Sequence, residues 1–245
     1  MSVLEGRVAL VTGGARGIGR HIAATLAADG ATVVVADRRI EGVAAGDDGI
    51  ARVHEADVAV REHVTATVRA TAEEFGGIDI LVNNAGMDIA RQDTWNQSPE
   101  EWSRVIDVNL NGAWWCTSAA LPYMIPRGNG RVVFIGSNAA RLGGFGIGHS
   151  PAYSAAKAAL SGLIVALSSQ LEQFGIRVNA ISSGPTGSTG TPPTDEERAE
   201  HLRRFPLGYG GSGPIAAAVR YLVHPSGDWV SGTVMNVSGG EHRGI

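Results

Sequence analysis

Tyr153 and Lys157 lie four residues apart in an alanine-rich stretch, PAYSAAKAAL at 151–160. On a helix, positions i and i+4 share a face, so a helical reading points the phenol and the ammonium the same way. A free tyrosine, with a pKa of about 10, exchanges protons poorly near neutrality. A positive charge about 4 Å away is worth roughly 4 kcal/mol at an effective dielectric of about 20, enough to lower the phenol by roughly three units. A tyrosine so placed is a usable general acid/base; the same pair on a solvated helix face would do nothing. The second chemical signal is Thr12-Gly13-Gly14-Ala15-Arg16-Gly17-Ile18-Gly19, set between an apolar run and a helical pattern. Glycines there let the backbone approach a pyrophosphate, at which the following helix aims its N–H groups and positive dipole end. Asp37 follows Gly19 by eighteen residues. It suits hydrogen bonds to the two ribose hydroxyls of NAD and opposes a 2′-phosphate. Arg16 and Arg38 could reach such a phosphate, but the carboxylate closing the strand favours NAD.

The apolar pattern supplies a scaffold for these residues. Short runs at 7–11, 31–36, 51–56, 78–82, 131–135, 176–181 and 233–237 read as seven strands. Helical spacing recurs at 17–29, at 60–75, and from a capping box at Ser98-Pro99-Glu100-Glu101 past Trp114 to about 124. It returns through Tyr153 and Lys157 to near 175, at 195–204 and at 215–223. The stretch 38–50 has room only for a brief helix. Strands alternating with helices predict an α/β fold: a Rossmann-type, doubly wound, seven-stranded parallel sheet with helices on both faces. With no linker and no fixed repeat, 1–245 reads as one domain that binds the dinucleotide and carries the catalytic groups.

Apolar residues make up 44% of the chain and charged ones 18%, which fits a well-buried core and argues against disorder. A net charge of −4 without any basic run makes nucleic acid and anionic membrane poor partners. Cys116 is the single cysteine, so no internal disulfide forms. The N-terminus has no basic region followed by a long apolar run, and no apolar stretch is judged to reach transmembrane length. A cytoplasmic protein is expected. The seven histidines lack metal-ligand spacing, so no metal is expected. The 34 glycines cluster where strand patterns end, as phosphate-binding turns and tight loops require.

Taken in order, TGGARGIG, Asp57-Val58, NNAG at 83–86, VNLNG at 108–112, Ser137, YSAAK at 153–157, IRVNAI at 176–181 and the VSGTVMNVSGG ending resemble the short-chain dehydrogenase/reductase family in its single-domain form. The resemblance covers nearly the whole chain. It implies Tyr153 as acid/base for the carbinol proton, with Lys157 lowering its pKa and bonding the nicotinamide ribose. It further implies Ser137 holding the substrate oxygen and Asn109 anchoring a water that links Lys157 to solvent. On the cofactor side it implies Gly13, Arg16, Gly17, Ile18 and Gly19 at the phosphates, and Asp37 at the ribose. Asp57 and Val58 would meet the adenine, and Asn83, Ala85 and Gly86 the adenosine and ribose. Read alone, Asn109, Ser137 and Asn83 could each simply satisfy a helix, strand end or turn.

Three departures stand out. Ser137 precedes Tyr153 by sixteen residues, a few more than usual in the family, and the surplus falls in GGFGIGHS at 143–150, leaving Ser150 a rival for the serine role. After the sixth strand, Ser183-Gly184-Pro185-Thr186 replaces the family's Pro-Gly, which nominates Thr186 and Ser188 to hold the carboxamide. LGYGGSGP at 207–214 lacks an acidic helix start. Trp114, Trp115 and Cys116 read as core or as contacts to a second subunit, since relatives form homotetramers or homodimers. His149 reads as a solvated loop residue, and His242-Arg243 as a tail that could reach a neighbour's pocket. The expected activity is NAD(P)-dependent interconversion of a small-molecule secondary alcohol and ketone by hydride transfer. A 3-oxoacyl-thioester reductase is the alternative substrate reading, and a non-catalytic dinucleotide sensor the rival from another class.

Overall fold

The computed structural model describes residues 2–89, 93–142, 149–187 and 194–243. All seven predicted strands form, and they enter one parallel sheet in the order β3-β2-β1-β4-β5-β6-β7. They are β1 Val8–Thr12, β2 Thr32–Asp37, β3 Ile50–Glu55, β4 Ile80–Asn83, β5 Arg131–Ser137, β6 Arg177–Ser183 and β7 Val234–Val237. Several strands run one or two residues past their apolar reading. The added residues Thr12, Asp37, Asn83, Ser137 and Ser183 are polar, and they stand at the carboxyl edge of the sheet.

Alternation along the strands divides the core in two. Leu10, Val34, Leu81, Val132, Phe134 and Val178 face one side. There they meet α2 (Arg61–Phe75), α4 (Gly112–Met124) and α6 (Pro151–Leu171). Val11, Val33, Val35, Ile80, Val133 and Ile181 face α1 (Gly17–Ala28) and α8 (Gly213–Val223) on the other. The polar α7, Asp195–Arg204, has the predicted bounds and starts from a capping box on Thr194.

The helix expected from 99 to 124 is not continuous. The Ser98–Glu101 capping box starts α3, Pro99–Ile106, as predicted. Residues Asp107–Asn111 then widen into a π-helical turn before α4 begins. Such a turn lets one side chain leave the regular helix path, and the side chain at its centre is Asn109. The 38–50 stretch holds only the short turn Asp47–Gly49, and an unforeseen α5, Ala139–Leu142, follows β5.

The expectation that no segment reaches transmembrane length is corrected: Pro151–Phe174 passes by length and composition. Its place in the fold is nevertheless central, with Ala156, Leu160, Ile164, Leu167 and the charged Lys157 buried. The helix is apolar on average yet carries a buried ammonium.

Candidate active site

Strands β1 and β4 are neighbours, and the chain reverses its direction of winding between them. That switch point leaves a crevice at the carboxyl edge, where open α/β sheets take ligands. Thr12 ends β1 and locks the two loops together. Its Oγ1 donates to the Val82 carbonyl (3.3 Å) and accepts from the main-chain N–H groups of Asn84 and Ala85 (3.1 Å each). Asn84 answers with Nδ2 donating to the carbonyls of Thr12 (3.0 Å) and Gly13 (2.9 Å).

A side chain would not fit in this joint. A Cβ on Gly13 would lie 2.8 Å from Ala85 Cα, and one on Gly19 only 2.1 Å from the Gly13 carbonyl oxygen. Gly13 and Gly17 also have φ of +62° and +55°, a region costly for residues with a Cβ. Helix α1 starts with neither a side-chain cap nor an acidic residue in its first turn. Its first N–H groups are therefore available to an anion. Ile18 is half-buried at that helix start, and Arg16, one residue before it, is exposed.

Asp37 is tied to the same turn, with Oδ2 accepting from Ala15 N and Oδ1 from Arg39 N, both at 3.1 Å. The carboxylate is thus fixed beside the glycines, while Arg38 is exposed. The remaining cofactor candidates divide. Ala85 and Gly86 stand in the crevice, and a Cβ on Gly86 would sit 3.0 Å from Asn109 Oδ1 and 3.5 Å from Lys157 Nζ. Asn83, in contrast, turns its side chain down, with Nδ2 donating to Thr117 Oγ1 (3.0 Å) on α4 and Oδ1 buried without a partner. Asp57 is engaged by Arg104 of α3 at 2.6 Å. Burial pushes its carboxyl up, but hydrogen bonds from Arg104 and the Ala59 N–H outweigh this and hold it below the usual carboxylate range. Val58 is buried against Gly112 at the start of α4. Thr186 is half-buried, with its carbonyl accepting from Gly211 N at 3.0 Å. Ser188 lies outside the described residues.

The chemical centre sits at the ends of β5 and α6. The Ser137 side chain lies near enough to the Tyr153 phenol to favour its ionised form, and Ser137 Oγ accepts from Ala139 N (3.1 Å). Lys157 is buried beneath, its Nζ donating to the Ile135 carbonyl at 2.8 Å. Asn109 Nδ2 donates to the carbonyls of Met87 (2.7 Å) and Val105 (2.9 Å), while its Oδ1 is buried without a partner. An orphaned buried amide oxygen is a group that a bridging water can satisfy.

One expectation fails. Lys157 does not lower the phenol here: burial pushes Tyr153 up to about 12, Ser137 opposes this, and the charge on Asp88 adds to it. The ammonium lies 5.6 Å from the Tyr153 ring centroid and is directed to a backbone carbonyl, so it flanks the ring without serving the phenol oxygen. Burial in turn draws Lys157 down to about 8.

Two further residues, His149 and Asp88, lie against the tyrosine. His149 stacks on the Tyr153 ring, centroids 4.9 Å apart and planes at 28°. Its Nδ1 meets Asp88 Oδ2 at 2.6 Å. Asp88 follows NNAG by two residues, and no signal in the sequence joined it to His149. The rival Ser150 is occupied, since its hydroxyl donates to Asp88 (2.7 Å) and accepts from Tyr153 N (3.2 Å) as the cap of α6. His242 contacts Arg141 of its own chain at 2.9 Å. Glu241 beside it bonds Asn138. Cys116 is buried core, its thiol pushed up to about 12, whereas Trp114 is exposed.

A glycine cradle at the switch point, with a tyrosine, a lysine and an orphaned amide on the same edge, defines a dinucleotide-binding α/β protein. Comparison with known proteins narrows the class. A family model described as short chain dehydrogenase matches residues 7–199. The chain is 35% identical to a 3-oxoacyl-acyl-carrier-protein reductase of Vibrio cholerae, over 97% of this chain and 98% of that protein. It is 39% identical to a subunit of a hydroxy(phenyl)methylsuccinyl-CoA dehydrogenase of Thauera aromatica, over 97% of each. A short chain dehydrogenase from Burkholderia cenocepacia, crystallised with NADP, superposes with a TM-score of 0.87 at 34% identity, covering 97% of this chain and 98% of that one. The chain belongs to the short-chain dehydrogenase/reductase family and is an oxidoreductase of that family.

Proposed function

We propose that this protein, as one domain spanning 1–245, interconverts a secondary alcohol and a ketone, with Tyr153 as the acid/base. The observation that carries this reading is the placement of Tyr153 beside the Ser137 side chain, which favours the ionised phenol, with buried Lys157 Nζ 5.6 Å from the ring centroid. A nicotinamide dinucleotide, when bound, supplies or accepts the hydride. In the reductive direction the substrate oxygen is held by the Ser137 hydroxyl and receives its proton from the Tyr153 phenol. Buried Lys157, beside the ring and held by the Ile135 carbonyl, is placed to bond the nicotinamide ribose. Asn109 Oδ1 is positioned to hold the water through which the proton is replaced. In oxidation the same steps run in reverse. The protein's contribution is to position these groups and to exclude bulk water from them.

For the cofactor we infer a preference for NAD over NADP, supported by the fixed Asp37 carboxylate at the end of β2. Replacing Asp37 by Ala should weaken NAD binding by about tenfold, the range expected for losing charge-assisted hydrogen bonds, and raise the NADP/NAD ratio of kcat/KM. An unchanged ratio refutes the preference. The Burkholderia relative, crystallised with NADP, makes this comparison informative.

The names of the curated relatives support a second substrate reading, reduction of a 3-oxoacyl thioester. Among the described residues, exposed Trp114 on α4, Val165 on α6 and Trp229 before β7 support assembly into a homo-oligomer, which light scattering would measure. A lone, buried cysteine suits a reducing cytoplasm. The functional test is a screen of ketones, secondary alcohols and 3-oxoacyl thioesters, followed by the absorbance of NADH and NADPH. Turnover of one class with either cofactor is the expected result. Cofactor binding without turnover of any would favour the sensor reading and contradict this one.

A further inference from the structure

Asp88 lies outside every motif that identifies the family in this chain, yet three of its contacts converge on the chemical centre. Its Oδ1 accepts from Ser150 Oγ at 2.7 Å and from Ser150 N at 3.2 Å. Ser150 Oγ in turn accepts from Tyr153 N at 3.2 Å, which closes the first turn of α6. Its Oδ2 meets His149 Nδ1 at 2.6 Å, and the His149 ring lies against the Tyr153 ring at 4.9 Å. One branch therefore fixes the tyrosine's main chain and the other its ring. The residue before it, Met87, accepts from Asn109 Nδ2 at 2.7 Å. Residues 87 and 88 thus tie the Asn109 side chain to Tyr153 across segments 22 and 62 residues apart.

We propose that Asp88 and His149 are positioning residues for Tyr153, clamping its ring and the first turn of α6 while holding a carboxylate close to the phenol. This rests on the reading of Tyr153 as the acid/base. A hydrogen bond to a ring nitrogen fixes which nitrogen of a histidine carries the proton. Asp88 Oδ2 at Nδ1 therefore leaves Nε2 as the unpartnered nitrogen among the described residues.

The carboxylate also has an electrostatic consequence. Burial pushes Asp88 up, but hydrogen bonds from His149 and Ser150 outweigh it, so the group is an anion at neutral pH. Its charge opposes ionisation of the phenol. The other titratable groups in the neighbourhood are Lys157 on the same helix and Glu241 of the C-terminal segment. Burial raises Glu241, which lies in the fields of His149, His201 and Arg204.

The experiment compares pH profiles of kcat and of kcat/KM for alcohol oxidation in wild type, Asp88→Asn and His149→Phe. Asparagine keeps the shape and removes the charge. Its ionisation limb should move toward acid by about half a pH unit or more. Phenylalanine keeps a ring against Tyr153 but withdraws the hydrogen bond from the carboxylate. Its limb should move toward alkali, with kcat lowered more than KM is raised. A purely structural role would lower activity without moving either limb. Coincidence of the wild-type limb with that of either variant, while Tyr153→Phe is inactive, overturns this proposal and leaves the acid/base reading standing. Activity in Tyr153→Phe would instead sink that reading. A thermal melt verifies folding, and either variant alone suffices if the other fails to fold.

Discussion

The two edges of the sheet bury polar groups in opposite ways. At the amino edge, Asp79 is buried and its oxygens are fully used. It accepts from Val8 N (2.8 Å), from Arg7 (3.3 Å) and from Arg127 (2.8 and 3.1 Å). Arg131 is also buried there and bonds Asp228, Asn129 Oδ1 and the Gly130 carbonyl, leaving only Nε over. At the carboxyl edge, Asn109 Oδ1 has no partner, and a buried phenol and ammonium are displaced in opposite directions from their ordinary values. Saturated polar groups at one edge stabilise the fold, whereas unsaturated and electrostatically displaced ones at the other await a ligand. The same buried environment thus serves structure or chemistry according to whether its hydrogen bonds close.

This contrast can be broken first at Lys157. Its ordinary pKa of 10.5 falls to about 8 in the fold. Between those values the unfolded chain binds more protons, so this group makes stability rise with pH across the window and withdraws it as pH falls through 8. Tyr153, raised from 10 to about 12, acts with the opposite sign only above pH 10. Buried Cys116, raised from 9.0 to about 12, takes back part of this above pH 9 in any variant. Urea unfolding at pH 8 and pH 10 should therefore show a gain about 2 kcal/mol larger in wild type than without the ammonium. Lys157→Met should lack that excess. Parallel curves for the two proteins would show that the ammonium is not desolvated.

A smaller effect is expected at the amino edge. Asp79→Asn should lower stability by about 1–3 kcal/mol, as for a buried acceptor that loses charged donors. It should leave kcat and cofactor affinity unchanged at temperatures where the variant is folded. A loss of turnover without a loss of stability would erase the distinction between the edges.

The sequence disclosed the parts of this molecule that depend on neighbours along the chain. Buried strands, the glycine turn, the Ser98–Glu101 capping box and α7 follow from local pattern, and the structure reproduces them. The apolar runs stop one or two residues before the strands do, because Asp37, Asn83 and Ser137 are polar although the ladder continues through them. The π turn at Asn109 was hidden inside a regular helical pattern. The Tyr153–Lys157 spacing correctly placed both groups on one helix, but not the sign of the shift. Burial and the charge on Asp88 raise the phenol, and the ammonium meets a carbonyl on β5 instead. Asp88 and His149 were illegible because each is ordinary alone, and only folding brings positions 61 residues apart within hydrogen-bond reach.

The most direct measurement is turnover by Tyr153→Phe beside wild type, with cofactor binding followed by fluorescence in the same samples. Removing one hydroxyl should cut kcat by about a thousandfold or more, given what general acid–base catalysis contributes, while cofactor affinity stays within about threefold, since the glycine turn, Asp37 and Lys157 are all retained. Retention of wild-type turnover by the phenylalanine variant would contradict the account.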